Sequence, residues 1–349
     1  MKITFLTPHV EISGGVKIIF QYAERLAKRG HEVTIVCPRS SLITGRALGL
    51  PIIHPSRLIA NLINYKPSWI PFRGRIRYVK SFEERHIPES DATVATAWQT
   101  APYVNSYSRN KGEKFYLIQH YESLFHGEKA HVDRTLQYPI TKIVVSSWLK
   151  EVLQQFGTQS ELIINPIDFN VFYPTRGACN NNGIRICMLH HLYEWKGVKD
   201  GVEAFELAQK EYPDICLVMF GSKVKRVNID CEYHFKPTDE ELRRIYNSCD
   251  IFLCPSWVEG FGLTSAEALA CKRSLVSTDN GGNRDYAIHE KTALLSPPKD
   301  PCRLAENLVR MIFDRELSNN LAHAGFERVR RFTWDDATDK MEAILSRHI

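Results

Sequence analysis

Ile3-Thr4-Phe5-Leu6-Thr7, then Ser13-Gly14-Gly15, then the run from Val16 to Ala27, and finally Glu32-Val33-Thr34-Ile35-Val36-Cys37 read in order as strand, turn, helix and strand. The first and last segments are apolar and rich in β-formers. Between them Val16, Ile19, Phe20, Ala23, Leu26 and Ala27 fall on one helical face, and Gly30 stands where a helix stop belongs. Ser13 is placed to begin the helix, and Pro38 ends the second strand. A strand–helix–strand unit of this length predicts a parallel sheet covered by helices.

The same alternation continues outward. Strands are expected at Ala92–Thr96, Phe115–Gln119 and Lys142–Ser146, the last running into a helix from Trp148 to Phe156. Gly177 to Gly183, with Asn180-Asn181-Asn182 inside it, is the clearest linker signal. After it the pattern restarts. Strands are expected at Ile184–Leu189, Ile215–Gly221, Ile251–Pro255 and Ser274–Thr278. Helices are expected at Val198–Glu211, Asp239–Ser248 and Thr264–Cys271, with two closing helices from Cys302 onward. Two successive series of this kind predict an α/β protein of two Rossmann-like, doubly wound domains, residues 1–174 and 175–333. Ligands of such sheets bind beyond the C-terminal strand ends, which makes a cleft between the domains the default site.

Length and composition agree with this. The 349 residues suit two domains, and 44% apolar with 24% charged residues describes an ordinary folded chain. No uncharged apolar run approaches the roughly 18 residues of a membrane helix, and the first residues lack the features of a signal peptide, so a cytoplasmic location is expected. The nine cysteines contain no CxxC pair and read as reduced, buried thiols. Charge is uneven. Residues 1–170 hold 21 Lys and Arg against 14 Asp and Glu (+7), the remainder 24 against 26 (−2), which together recover the net +5. The basic first half is compatible with an anionic partner, such as a lipid phosphate or membrane surface, or with a solvated basic face.

The richest chemistry lies in Pro255-Ser256-Trp257-Val258-Glu259-Gly260-Phe261-Gly262-Leu263-Thr264-Ser265-Ala266-Glu267-Ala268. It leaves a strand, passes two glycines and enters a helix. Gly260 and Gly262 allow close backbone approach, and the amides at the helix start make a phosphate site. Glu259 and Glu267 flank that turn, and carboxylates accept hydrogen bonds from sugar hydroxyls. The set suits a nucleotide sugar.

Glu259 and Glu267, eight apart within Glu-Gly-Phe-Gly-Leu…Glu-Ala, resemble the E-x7-E motif of the family-4 retaining glycosyltransferases, which have the GT-B fold. The resemblance implies two Rossmann-like domains facing across a cleft, the first Glu on the donor sugar and the second on the nucleotide ribose. It extends along most of the chain. Ser13-Gly14-Gly15 is similar to the glycine loop near the donor phosphates. Asn165-Pro166-Ile167-Asp168 with Phe172 and Pro174 resembles the interdomain segment, with Pro166 in place of Gly. Trp195-Lys196-Gly197 resembles the Lys-Gly whose lysine grips the diphosphate, and Gly281-Gly282-Asn283-Arg284-Asp285 the Gly-Gly-x-x-Glu loop. Phe332-Thr333-Trp334 is similar to the start of the last helix, about 334–349, which in that fold crosses back onto the first domain. Donor binding is thereby expected of Gly14, Gly15, His191, Gly260, Phe261, Gly262, Leu263, Thr264 and Glu267, and catalysis of Glu259, Lys196 and His120.

The chain also departs from the pattern. His190-His191-Leu192 stands where the family carries Gly-Arg-Leu, so His191 takes the place of an arginine on the diphosphate. A neutral imidazole donates one hydrogen bond without charge, which leaves Lys196 as the main cation, helped by Arg284 or by protonation of His191. Lys272-Arg273-Ser274 replaces the usual Gly-x-Pro. His120, at the end of a first-domain strand, lies where the family often keeps a histidine near the donor sugar, and Glu122 is a further candidate for an acceptor hydroxyl. From Tyr65 to Lys80, Trp69, Ile70, Phe72 and Tyr78 interleave with Lys66, Arg73, Arg75, Arg77 and Lys80. That stretch reads equally as a rest on anionic lipid, an acceptor loop or a packed surface.

The resemblance implies transfer with retention from a nucleoside-diphosphate sugar to a glycan or lipid-linked acceptor, by front-face attack. No Asp-x-Asp triplet or metal-ligand cluster is present, so no metal and no cofactor are expected, and protein cations stabilise the leaving diphosphate. Two other readings keep the fold: a nucleotide-sugar epimerase, and a non-catalytic partner subunit favoured by the missing arginine. Nucleic acid fits nothing else in the chain, and the first turn lacks the GxGxxG of a dinucleotide enzyme.

Overall fold

The computed structural model describes residues 1–39, 66–67, 69, 71–125, 127–175, 183–224 and 227–347. The expected linker lies outside these residues up to Asn182, as do Tyr65 and Ile70 of the basic and aromatic stretch. The chain forms two compact units, residues 1–165 with 335–349 and residues 166–334.

In the first unit, β1 (Lys2–Leu6), β2 (Glu32–Pro38), β3 (Arg75–Val79), β4 (Ala92–Ala95), β5 (Glu113–Ile118), β6 (Thr141–Val144) and β7 (Glu161–Leu162) make a parallel sheet in the order β3-β2-β1-β4-β5-β6-β7. Ile3 pairs with Val33 on one side and Ala92 on the other. β4 is buried along its whole length, as a central strand of a helix-covered parallel sheet must be. Helix α1 (Gly14–Lys28) begins where Ser13 Oγ accepts from Val16 N at 3.3 Å, and it buries Val16, Ile19, Phe20, Ala23 and Leu26. Arg25 and Lys28 in its last turn suit the negative end of the dipole. Helices α2 (Ala101–Ser106), α3 (Lys129–Leu136) and α4 (Ser147–Gln155) follow the later strands.

In the second unit, β8 (Ile184–Leu189), β9 (Ile215–Gly221), β10 (Glu232–Phe235), β11 (Ile251–Cys254), β12 (Ser274–Thr278) and β13 (Leu294–Ser296) lie parallel in the order β10-β9-β8-β11-β12-β13. Around them run α5 (Val198–Glu211), α6 (Asp239–Ser248), α7 (Leu263–Ala270), α8 (Pro301–Phe313) and α9 (Arg315–Val329). Thr238 and Glu241 form a reciprocal capping box at the start of α6. The core joins Ile186, Met188, Phe205, Leu217, Leu253 and Leu308, and each such side chain contributes roughly 1.5–3 kcal/mol by burial.

The structure differs from expectation at three places. The division between units falls at Asn165/Pro166, before the expected 174/175. Pro166–Pro174 stands with the second unit because Ile167 N donates to Phe332 O, Asn247 Nδ2 donates to Tyr173 O, and the Phe172 ring meets Tyr246. The chain closes on three helices instead of two. Asp314 interrupts the run and caps α9 through Leu317 N, and α10 (Trp334–Ser346) follows. From Asp335 onward α10 belongs to the first unit, where Arg29 pairs with Asp339 and Glu342 and His31 Nε2 lies 2.6 Å from Glu342. Finally, β3, β7, β10 and β13 lie at or beside sheet edges and were not expected as strands.

The order of strands fixes where ligands belong. Connections turn in opposite directions on either side of β1/β4 in the first sheet and of β8/β11 in the second, so each unit has a topological switch point there.

Candidate functional site

At the switch point of the second unit, the loop after β8 carries Lys196 and the loop after β11 carries Glu259. Lys196 Nζ lies 2.7 Å from Glu259 Oε1 and 2.8 Å from Oε2, with the side chains only 18% and 11% exposed. The two loops are fixed against each other by backbone. Trp257 N donates to Trp195 O at 2.7 Å, and Trp257 Nε1 donates to Asp200 at 2.6 Å. Lys196 ends a tight turn whose next residue, Gly197, has φ +62°, and a Cβ there would stand 2.0 Å from Pro255 O. Only glycine permits that approach.

The turn from β11 into α7 holds six of the expected donor-binding residues, Gly260, Phe261, Gly262, Leu263, Thr264 and Glu267. Glu259 N donates to Asn280 O at 3.0 Å, which ties the turn to the Gly281–Gly282 loop. Gly260 and Phe261 are buried, and the Phe261 ring sits edge-on to Tyr286. Tyr286 OH lies 3.0 Å from Phe261 O and 2.8 Å from Gly262 O. Gly262 precedes α7 in the left-handed region, φ +82°. Leu263 and Thr264 then open the helix half-buried, and their N–H groups have no acceptor within it. Glu267, one turn on, is buried and accepts from Tyr246 OH at 3.1 Å. The turn thus joins helix amides, a lysine and two carboxylates, a set able to meet both a phosphate and hydroxyls.

His191 is half-buried beside this set. Its Nδ1 accepts from Tyr193 N at 3.1 Å, so the ring proton sits on Nε2. Burial, with the Lys196 charge acting in the same sense, pushes its pKa down to about 4. The expectation that protonated His191 would assist Lys196 is therefore corrected: near neutral pH His191 is an uncharged N–H donor. Arg284, the other expected helper, makes two bonds to Asp279, at 2.8 and 3.0 Å, and that pairing holds Asp279 below the usual carboxylate range. Among the described residues no group of three or more His, Cys, Asp or Glu side chains is arranged to hold a metal. Tyr246, Tyr286 and Asp200 were not expected here; their partners are distant in sequence, and no local pattern signals them.

The remaining expected residues belong to the first unit. Gly14 and Gly15 open α1 after β1, and Gly15 O accepts from Gln119 Nε2 at 3.2 Å. His120 is half-buried after β5, its ring centroid 6.4 Å from that of Phe125. Two residues on, Glu122 Oε2 accepts from Trp98 N at 2.8 Å and from Tyr116 OH at 3.4 Å. Burial outweighs those two bonds and pushes Glu122 up to about 7.

Comparison with known proteins gives first the fold. The UDP-glucose complex of HepE from Anabaena superposes with a TM-score of 0.77 over 99% of this chain and 100% of that one, at 16% identity. Sucrose-phosphate synthase from Thermosynechococcus elongatus superposes at 0.76 over 99% and 98%, at 17% identity. The fold is GT-B. Residues 174–328, nearly the whole second unit, match the family model of the glycosyl transferases group 1. The O-antigen biosynthesis protein RfbC of Myxococcus xanthus is 24% identical over 98% of this chain and 27% of that protein. The chain spans about a quarter of the length of the first curated relatives it matches.

Proposed function

We propose that this chain is a retaining glycosyltransferase, which moves a sugar from a nucleoside-diphosphate sugar to a glycan or lipid-linked acceptor without a metal. The observation that carries the reading is Lys196 and Glu259 held together at the β8/β11 switch point, next to the amide-lined start of α7. A cation and a helix N-terminus at one place stabilise the charge that develops on a departing diphosphate. A carboxylate beside them accepts from the hydroxyls of the sugar being transferred, and Glu267 is assigned to the ribose. The acceptor oxygen forms its bond to the anomeric carbon while the bond from that carbon to phosphate breaks, and the acceptor proton passes to the leaving diphosphate. HepE binds UDP-glucose and RfbC serves O-antigen biosynthesis, which supports a nucleotide-sugar donor and a polysaccharide acceptor here.

The uncharged His191 favours one other reading, a GT-B subunit that has lost donor chemistry. A thermal-shift screen over nucleotide sugars, followed by NMR of the product anomer with candidate glycan acceptors, separates the two. A donor that raises the melting temperature and yields product of unchanged anomeric configuration supports the transferase. Binding without transfer or hydrolysis supports the non-catalytic subunit. A product of inverted configuration overturns retention.

A further inference from the structure

Glu267 is held from behind by a hydroxyl that packing does not need. Tyr246 stands in the last turn of α6, fully buried, and its OH donates to Glu267 Oε2 at 3.1 Å. Its ring is met edge-on by three others, with centroid separations of 5.6 Å to Phe252, 5.7 Å to Phe220 and 6.0 Å to Phe172. A phenylalanine would fill that cage as well as a tyrosine does. The hydroxyl therefore carries a desolvation cost that its bond to Glu267 offsets.

The carboxylate is equally confined. Side chains of a helix lean towards its N-terminal end, and in α7 that end carries the amides of Leu263 and Thr264. Ser265, Ala266, Ala268 and Ala270 are buried around Glu267, all of them small. Cys271 follows, and burial, with the Glu267 charge acting in the same sense, pushes its thiol up to about 12, so it stays neutral. The same two causes hold the Tyr246 hydroxyl well above its ordinary range, which keeps it a donor. The end of α6 is pinned in turn: Asn247 Oδ1 accepts from Thr175 N at 2.7 Å, and Asn247 Nδ2 donates to Tyr173 O at 3.1 Å. A caged ring on a pinned helix keeps the hydroxyl aimed at Glu267.

We propose that Tyr246 is a positioning residue for nucleotide recognition: its hydroxyl fixes the Glu267 carboxylate in the orientation that accepts from ribose hydroxyls, and so sets the preference for a ribonucleotide over its deoxy form. A glutamate side chain free to rotate loses rotamer entropy when it meets a diol, and that loss is smaller where one oxygen is already held. Tyr246 does not touch the nucleotide, and its effect passes through Glu267. Removing the hydroxyl therefore weakens the part of the affinity that comes from the ribose hydroxyls and leaves the rest. The inference rests on the assignment of Glu267 to the ribose.

The test is titration calorimetry on the intact chain with uridine, cytidine, guanosine and adenosine diphosphates and their 2′,3′-dideoxy counterparts. The wild type should bind at least one ribonucleotide about tenfold more tightly than its dideoxy counterpart. In Tyr246→Phe, which keeps the ring and its cage, that ratio should shrink roughly threefold while the dideoxy affinity stays as in the wild type. A merely structural role would lower both affinities together or neither. If Tyr246→Phe folds poorly, Glu267→Ala is compared with Glu267→Ala/Tyr246→Phe, which leaves neither partner orphaned; the two should bind the ribonucleotide equally. An unchanged ratio in Tyr246→Phe, or a further loss of affinity in the double variant, overturns the positioning role and leaves the donor site standing. A ribonucleotide bound no better than its dideoxy form removes Glu267 from the ribose and overturns the role with it. No binding of any ribonucleotide overturns the donor reading itself, and the role falls with that too.

Discussion

Lys196 and Glu259, 63 residues apart in sequence, form an ion pair with two contacts, 2.7 and 2.8 Å, that spans the loops of β8 and β11. Each is positioned by the other before any donor arrives. Under the proposed function, a donor diphosphate would compete with Glu259 for Lys196, and the sugar would find a carboxylate already oriented. Removing either partner of the pair takes a close opposite charge from the other in a largely dry place, where losing such a pairing is costly.

Gly262→Ala should destabilise the second unit. Its φ of +82° costs an L-residue about 1–2 kcal/mol, and the new Cβ would stand 2.6 Å from Tyr286 OH. Chemical denaturation of Gly262→Ala, Tyr286→Phe and the double variant measures both parts. The penalty for alanine should shrink in the Tyr286→Phe background, and an unchanged penalty would show that the hydroxyl contact does not matter.

His191 gives folding a pH dependence whose sign is fixed. Its pKa falls from about 6.5 unfolded to about 4 folded, so its neutral burial contributes stability that is present above about pH 6.5. That contribution is lost as pH falls from there towards 4. His191→Gln removes the titrating group, so between about pH 7 and about pH 5 the variant should lose less melting temperature than the wild type. Parallel thermal melts at the two pH values decide it; a steeper loss in the variant contradicts the assignment.

Glu267→Ala should weaken nucleotide binding about tenfold, since it removes the carboxylate assigned to the ribose. It also leaves Tyr246 OH buried without its partner, at a cost to stability of about 1–3 kcal/mol. Glu267→Gln keeps a carbonyl oxygen for Tyr246 and should recover most of the stability with less of the affinity. Calorimetry of both variants separates the two roles, and undiminished affinity in Glu267→Ala rules out the ribose assignment.

Transfer should persist in excess EDTA, since the proposed mechanism assigns to Lys196 and the α7 amides the electrostatic work that a metal does elsewhere. Initial rates with and without chelator check this. A rate abolished by EDTA and restored by one divalent ion overturns the metal-free proposal.

Much of this architecture was legible in the chain. Helix α1 was readable because Val16, Ile19, Phe20, Ala23 and Leu26 repeat with helical period between a capping serine and Gly30. Strands β9 and β11 are continuous apolar runs, the mark of a sheet buried on both faces, and β8 and β12 are mostly apolar or β-prone. β3 was hidden because Arg75 and Arg77 alternate with Ile76 and Tyr78, a half-exposed edge pattern that also reads as a basic surface. β10 and β13 are too short, four and three residues, to show a period. At the site, Glu259, Glu267 and Lys196 came from local motifs. The contact between Lys196 and Glu259, and the hydroxyls of Tyr246 and Tyr286 beneath the turn, depend on strand order, which no local spacing encodes. The neutral state of His191 likewise depends on burial and on a backbone N–H two residues away.

The central claim is that Lys196 meets the donor diphosphate after leaving Glu259. Titration calorimetry with the nucleoside diphosphate that best stabilises the wild type tests it most directly, using Lys196→Ala, His191→Ala and Glu259→Gln. Lys196→Ala should bind roughly a hundredfold more weakly, in the range of losing one principal charge-stabilising donor. His191→Ala, which removes an uncharged donor, should lose less. Glu259→Gln frees Lys196 from its ion pair and should bind the diphosphate more tightly while transferring sugar more slowly. Undiminished affinity in Lys196→Ala, or a weaker affinity in Glu259→Gln than in the wild type, would contradict the account.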